Sequence, residues 1–400
     1  MKKTRPTALL FTTFPVASET FLQREVRQLM ASGHPLRLIS LWGGADSFEG
    51  HPILRLRRPT TLATALCRLL PWVFGNATVL HHWTAAMGRR SPPNALNLGE
   101  NLWGLAAAAA LQPILRRDPP AHLHAVWASM PATTAAILGE SLHIPWSFSG
   151  HAYDLFEDGG DWLLPEKISR ASFVRTSTEQ GRQRLLALGA PSERVNLIRR
   201  GLESLPEFLP NATWHEPLRI LSVGRLVEKK GYPTLLRILA ATRDAGIPCT
   251  ARILGDGPLK LPLQRLRSEL RLEQHLHLEG AQPYDVVREA YRWADVFLFT
   301  GQVARSGDRD GLPNVIPEAM AHGLPVLATP YAGVPEVISE GETGFLLPPD
   351  QPNAWSERIR SLQNNPTERD QVRKQARHWV ETHFNLQENV AQLRGLLGGE

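Results

Sequence analysis

The sequence predicts an α/β protein built from two doubly wound, largely parallel sheets. Three observations lead there. Short β-like apolar runs alternate with helical ones along most of the 400 residues, the signature of βαβ units. The alternation pauses at Leu205 to Pro217, a stretch with three prolines and no periodicity, and then restarts. Finally, a chain of this length exceeds what one core sustains, so two domains of roughly 200 residues each are expected.

In the first half, Ala8–Phe14 reads as a strand. Thr20–Ala31 reads as a helix with Leu22, Val26, Leu29 and Met30 on one face and Gly33 beyond its end. Leu36–Leu41 is a second strand, and a helical insert follows over about residues 55–117. Strands return at Ala125–Ala128, Pro145–Ser149, Phe173–Thr176 and Val195–Ile198. The second half gives strands at Leu218–Val223, Thr250–Leu254, His275–Leu278, Val296–Thr300 and Pro325–Ala328. Helices at Tyr232–Ala245, Leu259–Leu270, Tyr284–Trp293 and Asn314–His322 alternate with them. Two helices near Ala354–Asn364 and Thr367–His383 are expected to end the chain. The expected domains are residues 1–205, a linker at 206–217, and residues 218–400, with the last helix packing back on the first domain. Two such domains would face a cleft, and doubly wound sheets bind ligands at the carboxyl ends of their strands.

The composition, 42% hydrophobic and 21% charged, is that of an ordinary soluble globular protein. No apolar run reaches the ~18–20 residues of a membrane span. The basic start and brief apolar run ending at Pro15 suit a first strand better than a secretory signal. Cys67 and Cys249 are far apart, without metal-ligand spacing or a disulfide framework, which points to a reducing cytoplasm. The net charge of +5 is uneven. From Arg55 to Arg117 eight basic residues (Arg55, Arg57, Arg58, Arg68, Arg89, Arg90, Arg116, Arg117) meet one acid, Glu100, with Trp72, Phe74, Trp83 and Trp103 interleaved. This suits an anionic membrane surface or an anionic acceptor; a solvated basic face over core tryptophans fits as well. No nucleic-acid motif accompanies the charge, so nucleic acid is not an expected partner.

The richest stretch is Asp310 to Glu336 (DGLPNVIPEAMAHGLPVLATPYAGVPE). It follows the buried strand Val296–Thr300, places Asp310 in a glycine-bearing loop, and puts Glu318 eight positions on, in a short helix. A loop entering a helix after a parallel strand exposes unpaired N–H groups that attract anions. Two acids beside it suit a ligand with both phosphate and hydroxyl groups, such as a nucleotide sugar; alternatively both acids simply face solvent near a helix start. The first strand of the second half runs directly into GRLVEKKG (224–231), so Arg225 and Lys230 emerge at its carboxyl end. Two fixed cations there could hold a diphosphate and neutralise it as it leaves.

Taken together, VGRLVEKKG (223–231), ILGDGP (253–258), LEG (278–280), ADVFLFT (294–300), DGLPNVIPEAMAHGLPVLAT (310–329) and GVPE (333–336) resemble the family-4 retaining glycosyltransferases of the GT-B fold. FPVASETFLQREVRQLMASGH (14–34) and SFSGHAYDLF (147–156) look like the bacterial subgroup that builds exopolysaccharides of the colanic-acid type. The resemblance covers most of the chain and breaks down in the 55–117 insert.

The resemblance implies a metal-independent hexosyltransferase acting from a nucleotide diphosphate sugar on a glycan or lipid-linked acceptor, with no cofactor. Arg225 and Lys230 would hold the donor diphosphate, and backbone N–H groups of Gly311, Leu312 and Asn314 would receive its phosphates. Glu318 would hold the ribose hydroxyls. Asp310, where the family usually has Glu, would meet the transferred sugar with a shorter reach. His151 matches the histidine near the reacting carbon; a second family histidine falls on Val126, so His124 is assigned no role. No Asp-x-Asp metal site appears near a strand end in the expected form. The expected location is cytoplasmic, peripheral on the inner face of the plasma membrane. A nucleotide-sugar epimerase on the same fold and a non-catalytic sugar-nucleotide-binding protein remain open. An NAD-dependent oxidoreductase is disfavoured, because FPVASE stands where G-x-G-x-x-G would follow the first strand.

Overall fold

The computed structural model describes residues 5–398 except 18, 57, 58, 61, 62, 64–66, 68–71 and 209–212. The chain packs as two units. The first comprises Met1–Gly201, Ser306–Gly311 and Leu386–Glu400, the second Leu202–Arg305 and Leu312–Asn385.

The first unit holds strands β1 (Thr7–Phe11), β2 (Leu36–Ser40), β3 (Ser47–Phe48), β4 (His51–Arg55), β5 (His122–Ala125), β6 (Trp146–Ser149), β7 (Val174–Thr176) and β8 (Val195–Leu197). Their order in the sheet is β3-β4-β2-β1-β5-β6-β7-β8. Only the β3–β4 pair is antiparallel. β1 is buried along its whole length, as expected of a strand covered on both faces. Chain order reverses between β1 and β5, which makes that point the topological switch.

The helix Thr20–Ala31 turns Leu22, Val26 and Leu29 inward, where they meet Leu386, Val390 and Leu393 of the helix Leu386–Leu396. The helix Met130–Leu142 is buried on every side from Met130 to Gly139. A helix that is apolar all round carries no amphipathic period, which is why periodicity does not reveal it.

Two expectations need correction here. The strand expected at Ala125–Ala128 lies at His122–Ala125. Its histidines are polar yet buried: the His122 ring meets the Ser147 hydroxyl at 2.7 Å, and His124 meets Ser147 and Ser149 at 2.8 and 3.0 Å. Cross-strand hydroxyls satisfy side chains that read as non-strand.

The tryptophans of the insert are not interfacial. Trp72 and Trp83 belong to the core, and partly buried Trp103 donates its indole N–H to the Leu41 carbonyl at 3.0 Å. Arg55 is spent on Asp46 at 2.8 Å and on the Gly44 carbonyl. The exposed large apolar side chains there are instead Phe74, at 78% exposure, with Leu96, Leu102, Ile114 and Val73. Exposed Arg89, Arg90, Arg116 and Arg117 sit on the helices Ala77–Arg89 and Ala95–Arg117 or at their ends, and the second of these also carries Leu96, Leu102 and Ile114. Arg57, Arg58 and Arg68 lie outside the described residues.

The second unit holds β9 (Leu218–Val223), β10 (Cys249–Leu254), β11 (Leu276–Gly280), β12 (Val296–Phe299), β13 (Val326–Ala328) and β14 (Phe345–Leu346). They form a parallel sheet ordered β11-β10-β9-β12-β13-β14. In sequence terms this is 3-2-1-4-5-6, the dinucleotide-fold order, whose switch point lies between its first and fourth strands. No helix among the described residues is long and apolar enough to cross a membrane.

Candidate functional site

In the second unit the switch point falls between β9 and β12, and the loops leaving those strands are knitted together. Gly231, at φ +64°, ends a tight turn over Glu228–Lys230. A Cβ there would stand 1.7 Å from the Thr300 carbonyl oxygen, so only glycine fits. The Thr300 hydroxyl donates to the Gly231 carbonyl at 3.0 Å, and the Gln302 N–H to the Lys229 carbonyl at 2.9 Å. The Tyr232 hydroxyl donates to the Gly224 carbonyl at 2.9 Å, and the Gly255 N–H bridges to the Gly280 carbonyl at 2.8 Å.

This frame carries half-buried Lys230, whose Nζ lies 5.3 Å from the Phe299 ring centroid, and exposed Arg225. Both therefore stand at the carboxyl edge where such sheets take ligands. Asn314 leads into the seven-residue helix Val315–Ala321, on which Glu318 is buried to 8% exposure. The Tyr291 hydroxyl meets Glu318 Oε2 at 3.2 Å.

The Gly-rich loop is divided between the units. Leu312, Asn314 and Glu318 pack with the second, but Ser306–Gly311, including Asp310, packs with the first. The Asp158 N–H donates to the Ser306 carbonyl at 2.8 Å, and the Arg309 guanidinium lies 5.0 Å from the Phe156 ring. Gly311 approaches so closely that a Cβ would stand 2.5 Å from the His151 carbonyl oxygen.

His151 follows β6 and is 5% exposed. Burial, then the charges of Arg200 and Arg175, hold its pKa well below the usual imidazole range, so it is neutral near pH 7. Its Nδ1 lies 3.3 Å from the Ser177 hydroxyl, its ring stands edge-on to Trp127 at 5.7 Å, and its buried Nε2 has no hydrogen-bond partner among the described residues. A neutral imidazole with one open nitrogen can exchange a hydrogen bond with a ligand but supplies no positive charge.

Asp154, which sequence reading passed over, fixes the His151 loop. One carboxylate oxygen accepts the N–H groups of His151 and Ala152 at 3.1 and 2.8 Å, and the other accepts Ala128 N–H at 2.9 Å. That ties the end of β6 to the segment leaving β5. The signal was present as an Asp three residues past a strand-end turn, a position whose side chain readily caps backbone N–H groups. Tyr291 gave no comparable signal, because nothing local to it in the sequence points to residue 318.

Residues 209–379 match the family described as Glycosyl transferases group 1. Among relatives, WcaL of Escherichia coli strain K12, named as a colanic acid biosynthesis glycosyltransferase, is 34% identical over 217 residues. That match spans 54% of this chain and 53%, about half, of the relative. WcaL of Salmonella typhimurium is 26% identical over 415 residues, 96% of this chain and 97% of the relative. Among solved structures, Anabaena HepE in complex with UDP superposes with a TM-score of 0.71, at 16% identity, over 98% of this chain and 99% of HepE.

Proposed function

We propose that the protein is a retaining glycosyltransferase that moves a sugar from a nucleotide diphosphate sugar to a glycan or lipid-linked acceptor in exopolysaccharide or cell-surface glycan synthesis. The observation that carries this reading is the placement of Arg225 and Lys230 at the β9–β12 switch point of a glycosyltransferase group 1 domain. HepE, of the same fold, was solved with UDP, which supports a nucleotide donor. In this reading Arg225 and Lys230 hold the diphosphate, the Gly311, Leu312 and Asn314 N–H groups assist, and Glu318 takes the ribose hydroxyls. Asp310 and His151 meet the transferred sugar.

The bond from the anomeric carbon to the phosphate oxygen breaks, and its electron pair leaves with the diphosphate. The acceptor hydroxyl then attacks from the same face, and its proton passes to a departing phosphate oxygen. The two cations stabilise the charge that develops on the leaving group. With that positive field in place, nucleotide release from donor and acceptor should proceed undiminished in EDTA. Loss of turnover in EDTA with rescue by Mg²⁺ or Mn²⁺ would contradict metal independence. Release of nucleotide without glycoside formation, or no turnover of any UDP-, GDP- or ADP-sugar that stabilises the protein, would overturn the transferase reading.

The acceptor is proposed to lie at an anionic membrane surface that the insert of the first unit meets. Exposed Phe74, Leu96, Leu102 and Ile114 accompany exposed Arg89, Arg90, Arg116 and Arg117. The sole acid of the stretch, Glu100, is pushed up to about 7 by burial and then by Asp161, so it is only partly ionised at neutral pH. Each Lys or Arg near such a surface contributes ~1 kcal/mol, fading with salt. The protein should co-sediment with anionic but not neutral vesicles at low salt. Binding should weaken at high salt and fall further when Phe74 and Leu96 become Ser or Arg89 and Arg90 become Gln. Equal recovery in the supernatant with both vesicle types would remove the membrane from the reading and leave the sugar transfer standing.

A further inference from the structure

We infer that Tyr291 is a positioning residue for Glu318, pre-ordering the carboxylate that receives the donor ribose; the inference rests on the reading of Glu318 given above. Tyr291 lies near the end of the helix Tyr284–Trp293, 1% exposed, with its ring stacked on His322 (centroids 4.8 Å, 21° between planes) and tilted against Phe297 at 5.8 Å. Its hydroxyl reaches Glu318 Oε2 at 3.2 Å and the Val315 carbonyl at 3.4 Å.

His322 closes the arrangement from the other side. Its Nδ1 stands 2.8 Å from the Glu318 carbonyl oxygen. A carbonyl only accepts, so Nδ1 carries the hydrogen. Burial holds the His322 pKa below the usual range, which favours the neutral ring. A stacked pair of rings thus holds Glu318 at both its carboxylate and its backbone.

The chemistry needs such a hold. A carboxylate that grips two vicinal hydroxyls must present both oxygens in one plane, yet a glutamate side chain has several rotors to freeze. The Tyr291 hydroxyl occupies one of about four lone-pair sites on the carboxylate. Ordering completed before the ligand arrives is not charged against its binding. The ring has its own packing, so removing the hydroxyl alone leaves the ring in place and removes the contacts to Glu318 and to the Val315 carbonyl.

The test is Tyr291→Phe in the full chain. Its melting temperature should stay near wild type, donor KM should rise about five- to tenfold, and kcat should stay within about twofold. Glu318→Ala should raise KM at least as much, and adding Tyr291→Phe to it should do nothing further, because the two changes remove one interaction. A second readout compares binding of UDP and GDP with their 2′-deoxy counterparts. Wild type should prefer the ribonucleotide it binds, and Tyr291→Phe should lose most of that preference. Unchanged KM and unchanged ribose preference in Tyr291→Phe, or an equal KM increase in the Glu318→Ala background, overturns the inference. If Glu318→Ala itself leaves KM and ribose preference untouched, the ribose reading of Glu318 falls and this inference with it. If only Tyr291→Phe is silent, the ribose reading survives alone.

Discussion

Arg225→Ala and Lys230→Ala are each expected to lower kcat/KM for the nucleotide sugar by roughly 10- to 150-fold, the worth of one charge-assisted bond of ~1.5–3 kcal/mol. Both residues stand at the carboxyl edge of β9, beside the strand where chain order reverses. A diphosphate carries little charge on its bridging oxygen while bound to sugar and gains a full negative charge on leaving. Cations fixed at that position therefore stabilise the transition state more than the ground state. The effect should fall on kcat as well as on KM. Lys230→Arg should recover less than charge alone predicts, because the stem of Lys230 runs beside Gly224 and its ammonium sits over the Phe299 face. Steady-state kinetics over a donor series read the result, and wild-type turnover in either alanine variant would remove the diphosphate assignment.

Glu25→Ala is the substitution expected to cost the most stability. Glu25 lies in the helix Thr20–Ala31 and is bound two-pronged by Arg175, at 2.7 and 2.6 Å, and by Arg200 at 3.0 Å, with all three buried. Removing the carboxylate leaves two buried guanidinium groups without the acid that binds them both, a loss of ~3–5 kcal/mol. A urea titration should show the transition of the first unit moving to markedly lower denaturant. The same site predicts a pH dependence. Burial disfavours the charged carboxylate, but Arg175 and then Arg200 outweigh it, and its pKa falls to about 2. The unfolded chain holds this group near ~4.3. The folded-state pKa is thus depressed, so the stabilisation is fully present above pH ~4.3 and disappears as pH falls through about 2. Glu25→Gln should be destabilised at neutral pH and should lack this part of the acid transition. A variant as stable as wild type at pH 7 would show that the triad is not a net support.

The second unit was the more legible part of the chain. Leu218–Val223 and Tyr284–Trp293 have the bounds that their apolar patterns imply, because its strands are short apolar runs set off by glycine and its helices have one wet face. Legibility failed where burial is complete. The helix Met130–Leu142 has no polar side to mark its period, and β5 hides two histidines among cross-strand hydroxyls. Arg225, Lys230 and Glu318 could be picked out because strand ends and an acid spacing marked them. Asp154 and Tyr291 act through partners that only folding brings near, 26 residues away for Ala128 N–H and 27 for Glu318. The allotment of Asp310 to the first unit was likewise invisible, since no local feature of DGLPN divides it after Gly311.

The helix Leu386–Leu396 has a meaning for synthesis as well as for packing. It covers Leu22, Val26 and Leu29, yet the ribosome delivers it only after both segments of the second unit, Leu202–Arg305 and Leu312–Asn385. At ~5–20 residues per second, translation leaves the apolar face of the helix Thr20–Ala31 uncovered for roughly ten to forty seconds. During that interval the nascent first unit presents three buried-to-be side chains to solvent, and the second unit can mature before the first is closed. The order in which the two cores are finished is thus the reverse of the order in which they are begun.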